Sequence, residues 1–115
     1  MRSTLVTIQL VVFALVSSAG IASAQDAAQV KKGQEVYTAQ KCSICHAIAG
    51  KGNKANPLDG VGAKLSADDI RAWMVTPIEA AAKAKSTKKP PMPAKYGKLP
   101  AADLDALVAY MQSLK

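Results

Sequence analysis

Five consecutive residues, Cys42-Ser43-Ile44-Cys45-His46, carry the densest chemistry in the chain. Two thiols three positions apart on a turn of helix can each add across one vinyl group of a porphyrin. The residue that follows can then deliver an imidazole nitrogen to the iron as its proximal ligand. The spacing C-x-x-C-H therefore reads as a c-type haem attachment, with Cys42 and Cys45 as the thioether residues and His46 on the metal. His46 is the single histidine of the sequence, so no second histidine can come from the same chain. A structural zinc site needs four ligands, and three crowded into this spacing do not supply them. A thioredoxin-like redox pair would open a helix within a βαβ pattern, and no strand pattern surrounds these residues.

The opposite face of the iron is left to Met, Lys, water or nothing. Met74 and Met111 stand at helical spacing among other apolar residues, which marks them as core side chains, packed on one another or on the porphyrin. Met92 lies between Pro91 and Pro93 in a stretch with no helical face to contribute to. A thioether on a stiff extended loop is well placed to meet a metal, and Met92 is the favoured sixth ligand over incidental packing. Pro57, eleven residues after His46, has a carbonyl that could accept a hydrogen bond from the imidazole nitrogen not bound to iron, fixing tautomer and ring orientation. An ordinary turn proline is the alternative, and spacing alone does not separate the two.

The elements that must position these residues are helices. Asp26–Gln40 reads as an amphipathic helix with Val30, Gly33 and Tyr37 on one face, running into the five-residue motif. Residues 49–62 are dense in Gly, Asn, Asp and Pro and read as loop. Ser66 and Asp69 form a capping signature for a second helix ending at Thr76, with Ile70, Trp73 and Met74 on its apolar face. Thr76-Pro77-Ile78-Glu79 restarts the chain as a short alanine-rich helix to about Lys85, with Thr76 as its cap. Residues 86–93 are extended because their prolines fix φ and remove donors, and Tyr96-Gly97 reads as a turn. A last helix spans about Pro100–Leu114, with a stripe of Leu104, Leu107, Val108, Met111 and Leu114 and Tyr110 at its edge.

The chain has 115 residues, a net charge of +7 and a pI near 9.6, which allows one small domain. Arg2, the apolar run Leu5–Val16 interrupted by Thr7 and Gln9, and the small-x-small site Ala22-Ser23-Ala24 have the layout of a secretory signal peptide covering residues 1–24. The run falls short of the about 20 residues a membrane span needs, so export with cleavage after Ala24 is expected over an uncleaved anchor, with no stable membrane insertion afterwards. Residues 25–115 then form a single domain. With only Tyr37, Trp73, Tyr96 and Tyr110 as aromatics, it has little large apolar surface to set against chain entropy. A covalently held, largely apolar porphyrin could complete its core.

With Cys42–His46 near the start of that domain, Met92 in a proline-rich loop and a closing helix, the chain resembles class I cytochrome c, and is especially similar to the small mono-haem bacterial type exported to the periplasm. The resemblance covers about Gln29–Leu114. Lys32-Gly33-Gln-Glu-Val-Tyr37 looks like the family's first helix, and Leu104–Leu114 like its last. It implies an all-α small cytochrome c fold in which these helices cross at Gly33, with Gly33 and Tyr37 against Leu107 and Tyr110. It further implies one covalent haem c on Cys42 and Cys45, axial ligands His46 and Met92, the Pro57 carbonyl orienting His46, and Trp73 bordering the haem pocket. There are departures: one extra residue separates Tyr37 from Cys42, Asn56 replaces the family's glycine before the loop proline and Leu58 follows that proline directly, and the stretch from Pro77 to Met92 is long.

With both axial positions filled by protein, iron can do little but gain and lose one electron, and His/Met ligation raises its potential. A soluble, monomeric one-electron carrier of the periplasm is the expected function, rather than an enzyme. A haem subunit of a larger oxidoreductase, or an open-site haem enzyme acting on peroxide or small gases, is the alternative. Lysines 41, 51, 54, 64, 83, 85, 88, 89, 95 and 98 could form a basic rim that steers the protein to a redox partner with an acidic docking surface; charge that merely keeps loops solvated is the rival explanation. Nucleic acid is not an expected partner, since no aromatics interleave with the basic residues.

Overall fold

A computed structural model describes residues 19–115, so residues 1–18 of the expected signal peptide lie outside the described residues. The order of elements is α1 (Ala19–Ala39), a 3-10 turn at Cys42–Ile44, β1 (Ala47–Ile48), β2 (Lys51–Gly52), α2 (Val61–Lys64), α3 (Ala67–Val75), α4 (Pro77–Lys83), a 3-10 helix at Ala94–Lys98, and α5 (Ala101–Ser113). The fold is all-α, with long connections and one antiparallel ladder of two residues a strand. Helix α1 covers the expected Asp26–Gln40 helix but for its last residue and begins earlier, through alanine-rich sequence of high helix propensity. Among the described residues no helix is long and apolar enough to cross a membrane.

The crossing of α1 and α5 organises the rest. A Cβ on Gly33 would fall onto the Ala106 carbonyl oxygen and within 2.6 Å of Tyr110 Cβ, so only glycine lets the two backbones approach this closely. Ala106 is fully buried beneath it, and Ala106 and the expected Tyr110 stand nearest the glycine. The Tyr37 and Tyr110 rings pack edge to face with centroids 5.8 Å apart, a favoured geometry for aromatic pairs. A Lys32–Asp103 ion pair at 3.3 Å flanks the crossing, and an Arg71–Asp105 pair ties α3 to the same helix.

Between these helices Val36, Ile70, Met74, Leu104, Leu107, Val108 and Met111 form one buried cluster. Met74 and Met111 are thus core residues, as their spacing predicts. Trp73 is half-buried on α3 and stands outside the side chains packed on that cluster.

Helix boundaries follow local chemistry. Ser66 caps α3, its Oγ accepting from the Asp69 amide at 3.1 Å and donating to the Asp69 carboxylate at 2.9 Å. Lys83 adds an ion pair to the same carboxylate at 3.1 Å, and these partners hold the Asp69 carboxyl below its ordinary range. The Thr76 cap expected for α4 does not form. The Thr76 hydroxyl donates back to the Ala72 carbonyl at 3.3 Å, closing the end of α3 instead. Helix α2, whose first two residues fall within the expected loop, is a single turn tied to the far end of the chain: the Gly62 amide donates to Leu114 O at 2.8 Å and Lys115 Nζ to Gly62 O at 3.0 Å.

Candidate haem-attachment site

Helix α1 delivers the motif. It ends at Ala39, and Lys41 then adopts the left-handed conformation (φ 56°) immediately before Cys42. For a residue with a Cβ this conformation costs about 1–2 kcal/mol. Cys42–Ile44 form a 3-10 turn, closed by amides of Cys45 and His46 bonding to Cys42 O at 3.1 and 2.9 Å. Both cysteines are free thiols, Cys42 half-buried and Cys45 exposed. Burial pushes the Cys42 thiol above its ordinary value. Ile44, between them, is two-thirds exposed.

His46 is half-buried, and its Nδ1 lies 3.2 Å from the carbonyl oxygen of Asn56. The carbonyl expected to hold the imidazole was that of Pro57; the structure gives the role to the residue before it. The reason is register. Ala47 and Leu58 bond across the loop, Ala47 N to Asn56 O at 3.2 Å and Leu58 N to Ala47 O at 2.8 Å, so the Asn56 oxygen points at the motif while Pro57 bridges Ala47. Nδ1 as donor to this carbonyl leaves Nε2 as the nitrogen free to bind a metal. Burial draws the His46 pKa below its ordinary value against the smaller upward pull of the Asn56 carbonyl, which favours the neutral ring a metal requires.

Two asparagines brace the motif, and neither role is visible in their spacing. Asn56 Nδ2 donates to Cys45 O at 3.2 Å. The Asn53 amide donates to Ser43 O and His46 O at 3.1 and 3.0 Å, and its Nδ2 reaches Ile44 O at 3.3 Å. Gly52 makes this enclosure possible: at φ +108° a Cβ there would strike the His46 and Ser43 carbonyls. Asp59 adds one more tie, accepting from Ala49 N at 2.8 Å. The carbonyls of Ser43, Ile44, Cys45 and His46 are therefore all engaged by this loop.

Met92 lies in the connection between α4 and α5, half-buried and packed against the core cluster. On chemistry the donor set fits a c-type haem: two free thiols, one imidazole oriented through Nδ1, and one thioether outside any helix. The Tyr37 hydroxyl nearby is buried without a hydrogen-bond partner. Desolvation, with smaller contributions from Cys42, Tyr110 and Asp59, pushes its pKa up to about 12.

The family model described as Cytochrome c matches residues 30–115. The chain belongs to the cytochrome c family. Comparison with curated proteins gave no match, and neither did comparison with solved structures. As a class I cytochrome c by sequence and fold, the chain is a haem-binding electron-transfer protein, and the cofactor its family implies is haem c with its iron. The matched span contains every site residue described above, from the thiols to Met92.

Proposed function

We propose that the protein is a soluble, monomeric one-electron carrier holding one haem covalently through Cys42 and Cys45, with His46 and Met92 as axial ligands. The observation that carries this reading is the imidazole of His46, fixed through Nδ1 by the Asn56 carbonyl directly after Cys42 and Cys45, which form no disulfide. The haem supplies the one-electron chemistry; the chain anchors it, presents Nε2 and a thioether sulfur, and keeps the site apolar. Trp73, half-buried yet outside the protein's own apolar cluster, is suited to pack on the porphyrin, and Pro57, bonded to the carbonyl-bearing Asn56, lines the proximal side.

Cleavage of residues 1–24 and export to the periplasm complete the proposal. They rest on the charged, apolar and small-x-small order of that segment. An acidic redox partner is favoured by the charge around Met92: six lysines and no acidic residue lie between Glu79 and Asp103. Such an arrangement speeds association and makes it sensitive to salt.

The test is a denaturing mass and a redox titration of the purified protein. The reading expects the polypeptide plus one haem, retained in denaturant and lost only when both cysteines are replaced, and a Nernst curve for one electron. A haem released by denaturant would contradict covalent attachment. Peroxide turnover or ready binding of carbon monoxide would point to an open-site enzyme, and copurification of a second chain to a complex subunit.

A further inference from the structure

We propose that Lys88 is a positioning residue for the distal ligand, a clasp that holds the Met92 loop against the loop orienting His46. The inference rests on the reading of Met92 as that ligand. Residues 87–93 contain three prolines, at 90, 91 and 93, which have no N–H to donate. Lys88 N bonds only locally, to Ser86 Oγ at 3.3 Å. Among the described residues, the one hydrogen bond from this stretch to a distant part of the chain is Lys88 Nζ to the carbonyl of Ala55, at 2.8 Å across 33 positions.

The receiving end is well fixed. The Ala55 amide donates to Asn53 Oδ1 at 3.0 Å, and the next residue, Asn56, holds His46 Nδ1. One ammonium group therefore joins the loop of the expected distal ligand to the loop of the proximal one, through a charge-assisted bond. Lys89, its neighbour, makes no such contact among the described residues.

A segment with few internal bonds opens locally at low cost. When Met92 swings away, an external ligand can take its place, and the apparent affinity of that ligand scales with the open fraction. The clasp lowers that fraction. Its removal is expected to raise it by about threefold to tenfold, the range for a solvent-exposed bond to a charged donor.

The experiment is a spectrophotometric titration of the ferric, haem-loaded protein with imidazole, in wild type, Lys88→Ala, Lys88→Arg and Lys89→Ala. Lys88→Ala is expected to bind imidazole about threefold to tenfold more tightly, whereas Lys88→Arg, which keeps a charged donor, and Lys89→Ala, which removes an equal charge, stay near wild type. Equal affinity in Lys88→Ala and Lys89→Ala overturns the clasp, as does an arginine variant as open as the alanine one. Met92→Ala separates the two levels. If it keeps the sulfur-to-iron charge-transfer band, the distal assignment fails and the clasp with it. If it loses the band while Lys88→Ala behaves as wild type, the clasp alone fails.

Discussion

The two sides of the expected iron site are built in opposite ways. On the proximal side, residues 42–58 form a short loop in which four successive carbonyls, from Ser43 to His46, are engaged by Asn53 and Asn56, with Gly52 leaving room for them, and the imidazole is aimed by a main-chain oxygen. That loop hangs from α1, itself locked to α5 at Gly33. On the distal side, the stretch carrying Met92 has three prolines, a side chain resting on the core, and, among the described residues, a single long-range hydrogen bond from a surface lysine. His46 is thus held by many bonds made in folding, whereas the stretch carrying Met92, the proposed distal ligand, is held by few.

Substitutions sort along the same line. The largest loss of stability belongs to the proximal scaffold. Gly33→Ala places a methyl group against the Ala106 backbone and is expected to cost about 1–3 kcal/mol or more in denaturant unfolding, with the haem spectrum of the folded fraction unchanged. A neutral result would mean the crossing is looser than the backbone contact implies. Asn56→Ala removes the amide bond to Cys45 O and leaves the main-chain carbonyl on His46. About 1 kcal/mol of stability is expected to go, with little shift in reduction potential. A large potential shift would show that the side chain, not the carbonyl, governs the proximal ligand.

The last effect is silent at neutral pH and appears only in alkali. Burial pushes the Tyr37 pKa up to about 12, above the ordinary tyrosine value of 10.0. Above pH 10 the unfolded chain gives up this proton while the folded one keeps it, so stability falls as pH rises from about 10 to about 12 and is unaffected below. Tyr37→Phe should remove that dependence and leave stability at neutral pH equal or higher, because the hydroxyl it deletes is buried without a partner. Unfolding midpoints measured across this range check both points; an unchanged alkaline slope in the phenylalanine variant would refute the assignment.

Much of this arrangement was legible in the sequence where chemistry is local. The cap at Ser66 and Pro77 set the ends of α3, the apolar spacing of Met74 and Met111 marked them as core, and Gly33 announced a close helix approach. What escaped the sequence was decided across distance or by one residue of register. The turn of α2 exists because the C-terminus bonds to Gly62. The imidazole partner is the Asn56 carbonyl because the Ala47–Leu58 pairing turns that oxygen, not the next, toward the motif. Thr76 looked like a cap, but its hydroxyl had an acceptor in the helix behind it. The contact of Lys88 with Ala55 spans 33 positions and left no trace in local pattern.

The densely braced His46 and the lightly held Met92 are the proposed axial ligands of one haem. The most direct measurement is the sulfur-to-iron charge-transfer band of the ferric protein, recorded for wild type and for Met74→Ala, Met92→Ala and Met111→Ala. The account predicts a band in wild type that disappears with Met92→Ala alone, together with a fall in reduction potential, and that persists in the folded fraction of the two core variants. A band that survives Met92→Ala and vanishes with Met74→Ala or Met111→Ala would contradict it.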